Sequence, residues 1–119
     1  MAGSWMLTGS CHCGAVRFQC EGTPQQAYEC NCSHCSRKGF LLWFIPRQDL
    51  RIESGEETLT IYTFNRHAIQ HKFCPTCGCQ PFGLGTSPDG SQTAAINLRC
   101  IEDLDLSAVE RVAVDGRSR

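Results

Sequence analysis

The chain has 119 residues, with eleven Lys and Arg against twelve Asp and Glu, a formal net charge of −1 and a pI near 6.4. That length predicts one domain, 1–119, with a modest core, and the near-neutral balance excludes an electrostatic nucleic-acid binder. The longest apolar run, 40–45, is six residues, far short of the roughly 20 that a membrane-spanning helix needs.

In chain order, the first ten residues carry neither a basic stretch nor an apolar core of the signal-peptide kind. The expectation is a cytoplasmic chain whose thiols stay reduced. Cys11-His12-Cys13 comes first. Val16, Phe18 and Cys20 then alternate with Arg17 and Gln19, which predicts a half-buried strand with Cys20 as a small core hydrophobe. A second cluster, Cys30-Asn31-Cys32-Ser33-His34-Cys35, is followed by Gly39, which breaks any turn there. Residues 40–45 predict a strand covered on both faces and ended by Pro46. Strands at 50–53 and 59–64 flank Ser54-Gly55-Glu56-Glu57 and predict a hairpin by turn chemistry.

His67, Ile69, His71 and Phe73 alternate into Cys74-Pro75-Thr76-Cys77, so the third cluster closes a strand. Strands at 81–84 and 93–98 surround a turn at Ser87-Pro88-Asp89-Gly90. Residues 103–112 form the one candidate helix, and 115–119 read as a loose tail. Many short strands with Gly and Pro turns predict an all-β (mainly β) domain.

The cysteines carry the chemistry. Ten in 119 residues is near the composition of a secreted disulfide scaffold, but cysteines two apart are poorly placed to bridge each other. Short pairs from distant parts of the chain suit a tetrahedral zinc instead. Cys11/Cys13 and Cys74/Cys77 have that form and make a closed four-thiolate site. Cys30, Cys32 and Cys35 offer three sulfurs with no evident fourth, the form of an open, catalytic zinc. The expectation is two zinc ions per chain. A four-thiolate zinc is coordinatively full, whereas a three-thiolate zinc favours a soft fourth ligand such as a substrate thiol.

Gly9-Ser10-Cys11-His12-Cys13-Gly14-Ala15-Val16, the second cluster, and Phe73-Cys74-Pro75-Thr76-Cys77-Gly78 together resemble the glutathione-dependent formaldehyde-activating enzyme family, which also includes centromere protein V-like proteins. The resemblance runs in order over 7–106 and includes Asn97-Leu98-Arg99-Cys100. It implies a zinc-stapled antiparallel β domain of the β-tent type. It also implies a carbon–sulfur lyase that combines or cleaves a glutathione–aldehyde adduct. By motif, Cys11, Cys13, Cys74 and Cys77 would hold a structural zinc, and Cys30, Cys32 and Cys35 the catalytic one. Glutathione or its adduct is the implied partner, with neither nucleic acid nor membrane.

Other residues stay in play. His12 and His34 sit inside clusters, where hydrogen bonding around the metal is the better reading than ligation. His67 and His71 read as structural histidines. Cys79 could exchange with Cys77, and Cys100 could complete the second site, although core packing is the simpler role. Arg37, Lys38 and Lys72 could meet glutathione carboxylates or be ordinary surface. Two other function classes stay open. One is a zinc- or thiol-binding module without turnover. The other is an interaction module like the centromere-associated relatives, disfavoured because no basic low-complexity extension is present.

Overall fold

The computed structural model describes residues 6–63, 69–87 and 89–115. Phe64, Arg66, His67, Pro88 and residues 116–119, on which parts of the strand, turn and tail readings fall, lie outside them.

The fold is mainly β, as expected, and its strands divide between two sheets. Strands β1 (Met6–Ser10), β2 (Arg17–Glu21) and β5 (Leu50–Ser54) form a three-stranded antiparallel sheet in the order β1-β2-β5. The larger sheet holds β3 (Gln26–Cys30), β4 (Leu42–Pro46), β6 (Thr60–Tyr62), β7 (Ile69–Phe73), β8 (Phe82–Thr86), β9 (Gln92–Asn97) and β10 (Glu110–Val114). Its order is β10-β3-β4-β9-β8-β7-β6. Every pair in it is antiparallel except β10 with β3, which is parallel.

The core forms where the sheets face each other. The alternation read at Val16, Phe18 and Cys20 buries all three completely. Phe18 meets Phe82 of the other sheet edge-on, centroids 5.5 Å apart at 82°, the arrangement that ring quadrupoles favour. Leu41, Ala94, Ile96 and Leu98 complete this centre. Cys20 is a buried core thiol, and burial pushes its pKa up to about 12. It is inert in that state.

Several elements depart from the sequence reading. Residues 103–112 are not a helix. Asp105 caps a single 3-10 turn, Leu106–Ala108, by accepting from the Ser107 N–H at 3.0 Å, and the chain then enters β10. The Val-rich end of this segment alternates, and β3 offers it an open edge. Gln26 donating to Glu110 at 3.1 Å and the Arg111–Glu29 ion pair at 3.7 Å dress that edge. The only helix among the described residues is α1 (Ser33–Lys38), inside the second cluster. Strand β9 ends at Asn97, whose side chain caps a 3-10 turn over Leu98–Cys100.

The predicted hairpin over 50–64 is also not formed. Strand β5 pairs with β2 in one sheet and β6 with β7 in the other, so the turn is a crossing between sheets. Gly55 makes the crossing possible. Its φ is +84°, and a Cβ there would collide with the Ala15 carbonyl. Strand β4 is covered on one face only: Ile45 is buried, but Phe44 is 50 % exposed. Asp115, read as the start of a loose tail, accepts a hydrogen bond from the Asn31 side chain at 3.0 Å.

Candidate metal centres and the adjoining cavity

Two groups of thiols converge as the sequence spacing predicts. Cys11, Cys13, Cys74 and Cys77 bring their sulfurs within 4.8 Å of one another, and so do Cys30, Cys32 and Cys35. Either group could hold a metal ion.

The four-cysteine group joins two turns. After β1 the chain reverses, with Cys11 N–H donating to Val16 O at 3.1 Å and Gly14 N–H to Cys11 O at 3.2 Å. After β7 a similar turn is closed by Gly78 N–H to Cys74 O at 2.8 Å and Cys74 N–H to Cys79 O at 2.9 Å. These turns aim the sulfurs at one point. Cys11 and Cys13 Sγ are 3.6 Å apart, as are Cys13 and Cys74 Sγ. A tetrahedron with 2.3 Å arms has edges of about 3.8 Å, so the donors fit zinc in number, type and spacing. Backbone N–H groups of Cys79 and Cys13 aimed at Cys77 bring its pKa down to about 6. That is the direction a metal-binding thiolate needs. Cys11 and Cys74 are buried.

The three-cysteine group is built by a strand running into a helix. Cys30 ends β3, pinned in register opposite Val114 of β10. Cys32 is the N-cap of α1, its Sγ accepting from Cys35 N–H at 3.3 Å. Cys35 lies in the first turn, and Gly39 closes the helix by donating to Cys35 O at 2.9 Å. Burial opposes ionisation of Cys32, but the Cys35 N–H and its neighbours outweigh it and the pKa falls. Burial raises that of Cys35. Of the two, Cys32 is the thiol whose ionisation the surrounding N–H groups favour. Cys30 and Cys32 are part-exposed, and Cys35 is buried.

Cys100 does not complete this second group, and Cys79 does not replace Cys77. The two instead meet each other, Sγ to Sγ 3.4 Å. His12 is exposed and outside both groups. Lys72 pairs with Glu56 at 4.0 Å. Arg37 and Lys38 line a small cavity of about 250 Å³ with His34, Tyr62, Phe73 and Gln80.

The structure places two of the histidines weighed in the sequence together and adds Tyr62 and Gln80, which the sequence did not single out. His34 of α1 and His71 of β7 lie with rings 4.2 Å apart, and His34 stacks on Tyr62 at 5.7 Å. Burial, then His34 and Lys38, lower the pKa of His71 to about 4, so it is neutral at physiological pH. Its Nδ1 is 3.4 Å from the side-chain nitrogen of buried Gln80. No motif flags Gln80. Its only sequence signal is a polar residue among Cys79, Pro81 and Phe82.

A cavity of about 780 Å³ opens on Cys30, Cys32 and Cys35. Its walls include Tyr28, Phe40, Leu42, Trp43, Phe44 and Ile69, with His71 and Gln80 among the polar groups. Tyr28 and Phe44 are in ring contact at 5.5 Å. The alternation of Phe40, Leu42 and Phe44 held this wall in plain view, but it reads as core until the sheet order is known.

Comparison with known proteins bears on the family and the fold. The profile of a family described as "Glutathione-dependent formaldehyde-activating enzyme" matches residues 6–113. A crystal structure of a Rhodobacter sphaeroides protein is similar at 32 % identity, covering 88 % of this chain and 99 % of that one, with a TM-score of 0.74. No helix among the described residues is long and apolar enough to cross a membrane.

Proposed function

The chain belongs to the glutathione-dependent formaldehyde-activating enzyme family, and from that premise we propose that it is a zinc-dependent carbon–sulfur lyase-type enzyme that makes or breaks thiol–aldehyde adducts, with glutathione as the thiol. The observation that carries this is the asymmetry between the two thiol groups. One has four converging sulfurs; the other has three and opens on a cavity.

Cys11, Cys13, Cys74 and Cys77 hold a structural zinc in this reading, tying β1 to the end of β7. Cys30, Cys32 and Cys35 hold the catalytic zinc, giving two per chain. Zinc at three thiolates supplies a soft Lewis-acid position that lowers the pKa of an incoming thiol. The chain's own part is placement. The β3–α1 junction fixes three sulfurs, the cavity walls set apolar side chains beside the reacting carbonyl, and neutral His71 beside Gln80 offers polar atoms among them. In the forward direction a C–S bond forms as the carbonyl π bond breaks, and the thiol proton ends on the new hydroxyl; cleavage is the reverse. The need for reduced thiols fits a cytoplasmic setting.

Thiols add to aldehydes without help, so the test is acceleration. Exchange NMR of glutathione with its S-hydroxymethyl adduct should show faster interconversion with the zinc-loaded protein than without it. Cys32→Ser should abolish the gain, remove one zinc and leave the fold intact. Two bound zincs with no acceleration would identify the non-catalytic thiol-binding alternative.

A further inference from the structure

We propose that the preferred aldehyde partner is larger than formaldehyde and carries an apolar, ring-bearing side chain, which occupies the cavity of about 780 Å³ beside Cys30, Cys32 and Cys35. This deepens the adduct chemistry above and rests on it.

Size is the first argument. The cavity lies within the roughly 300–1,000 Å³ of pockets that enclose whole small molecules, whereas formaldehyde has no body beyond its carbonyl. The wall is the second. Tyr28, Phe40 and Phe44 are among its lining residues, and the rings of Tyr28 and Phe44 are in contact. Phe44 and Ile69 are 50 % and 49 % exposed, and both face this cavity. An apolar occupant would cover them, and each buried Å² of apolar surface contributes about 25 cal/mol.

Charge is the third argument. Among the described residues, the lining contains no Lys, Arg, Asp or Glu. The carboxylates and ammonium of glutathione would meet no opposite charge inside it, and taking such groups out of water without one is unfavourable. The peptide part of the thiol therefore stays outside, and the aldehyde's side chain is what enters. Arg37 and Lys38, at the smaller cavity that shares Gln80, are available to the charged part. Gln80 supplies the fourth argument. Its buried Oε1 has no hydrogen-bond partner among the described residues, and an adduct of the form S–CH(OH)–R brings a hydroxyl donor. An unmatched buried acceptor costs stability until it finds one.

The test separates the cavity from the reaction. Trp5→Phe leaves Trp43, a cavity residue, as the one tryptophan, so its emission reports binding in zinc-loaded protein. The probes are 2-phenylethanol and ethanol, which cannot form adducts. 2-Phenylethanol should shift Trp43 emission with a Kd at least tenfold below that of ethanol. Phe44→Glu, a change at an already half-exposed position, should raise that Kd at least tenfold without altering zinc content. With glutathione fixed, acceleration of adduct exchange should be at least tenfold greater for phenylacetaldehyde than for formaldehyde. Equal, weak binding of both alcohols, with Phe44→Glu silent, overturns the proposal even if formaldehyde is turned over. Selective 2-phenylethanol binding with no turnover of any aldehyde overturns the aldehyde assignment by a different route, through failure of the adduct reaction itself.

Discussion

At the scale of single residues, His71 links the cavity to stability. Burial, His34 and Lys38 hold its pKa near 4 against an ordinary 6.5. Between those values the unfolded chain binds the proton and the folded chain does not. Stability therefore falls as pH drops through this window, by up to about 1.4 kcal/mol per pH unit for one proton. Acid also releases zinc from thiolates, in the same direction, so a difference is needed. His71→Phe keeps an aromatic ring and removes the titration. In urea melts at several pH values, wild type should lose more stability than His71→Phe between pH 6.5 and 4, and the curves should run parallel above pH 7. Parallel curves throughout would show that His71 is not held neutral. His71 reads in the sequence as a structural histidine, but its contact with His34 is not legible there. Ile69, His71 and Phe73 alternate along β7, but only the sheet order brings α1 over His71. The cysteines were legible for the opposite reason: two knuckle spacings and a three-sulfur cluster restrict geometry locally, wherever the strands go.

At the scale of elements, local chemistry predicted where turns fall better than which strands they join. Gly55 was read correctly as a turn residue and wrongly as a hairpin. A turn's composition says that the chain reverses or bends, not that its flanks pair. The partner of β5 is chosen by burial of Leu50 against Phe18 and Cys20 in the small sheet. The crossing then forces Gly55 against the Ala15 carbonyl. Gly55→Ala should therefore cost more than Gly90→Ala. Both glycines have positive φ, +84° and +91°, but nothing lies within 4 Å of a Cβ at Gly90. Backbone strain alone predicts about 1 kcal/mol at Gly90, and the collision should raise the loss at Gly55 to about 2 kcal/mol or more. Urea denaturation of the two variants decides it, and equal losses would contradict the crossing geometry. The segment 103–112 failed for a related reason. It reads as the one candidate helix, whereas the free edge of β3 recruits its alternating end as a parallel strand.

At the scale of the whole molecule, two sheets meet over a small core, and one four-sulfur cluster ties the start of the first sheet to the second. The family, the mainly β class and the grouping of the seven clustered cysteines were all readable from the sequence. The cavity was not, because its walls come from β3, β4, β7 and β10, which are distant in the chain and neighbours only in the folded sheet. The central claim is that the Cys30/Cys32/Cys35 centre takes the sulfur of the substrate. Cobalt replacing zinc reports this directly, since a thiolate entering the coordination shell changes charge-transfer and ligand-field bands. Titrating glutathione and S-methylglutathione into the cobalt protein, with metal release followed in the same samples, is the deciding measurement. The account predicts that glutathione alters the spectrum, that S-methylglutathione, whose sulfur cannot become an anion, does so far more weakly, and that Cys32→Ser abolishes the response. A cobalt spectrum unchanged by glutathione, with the metal still bound, would contradict it.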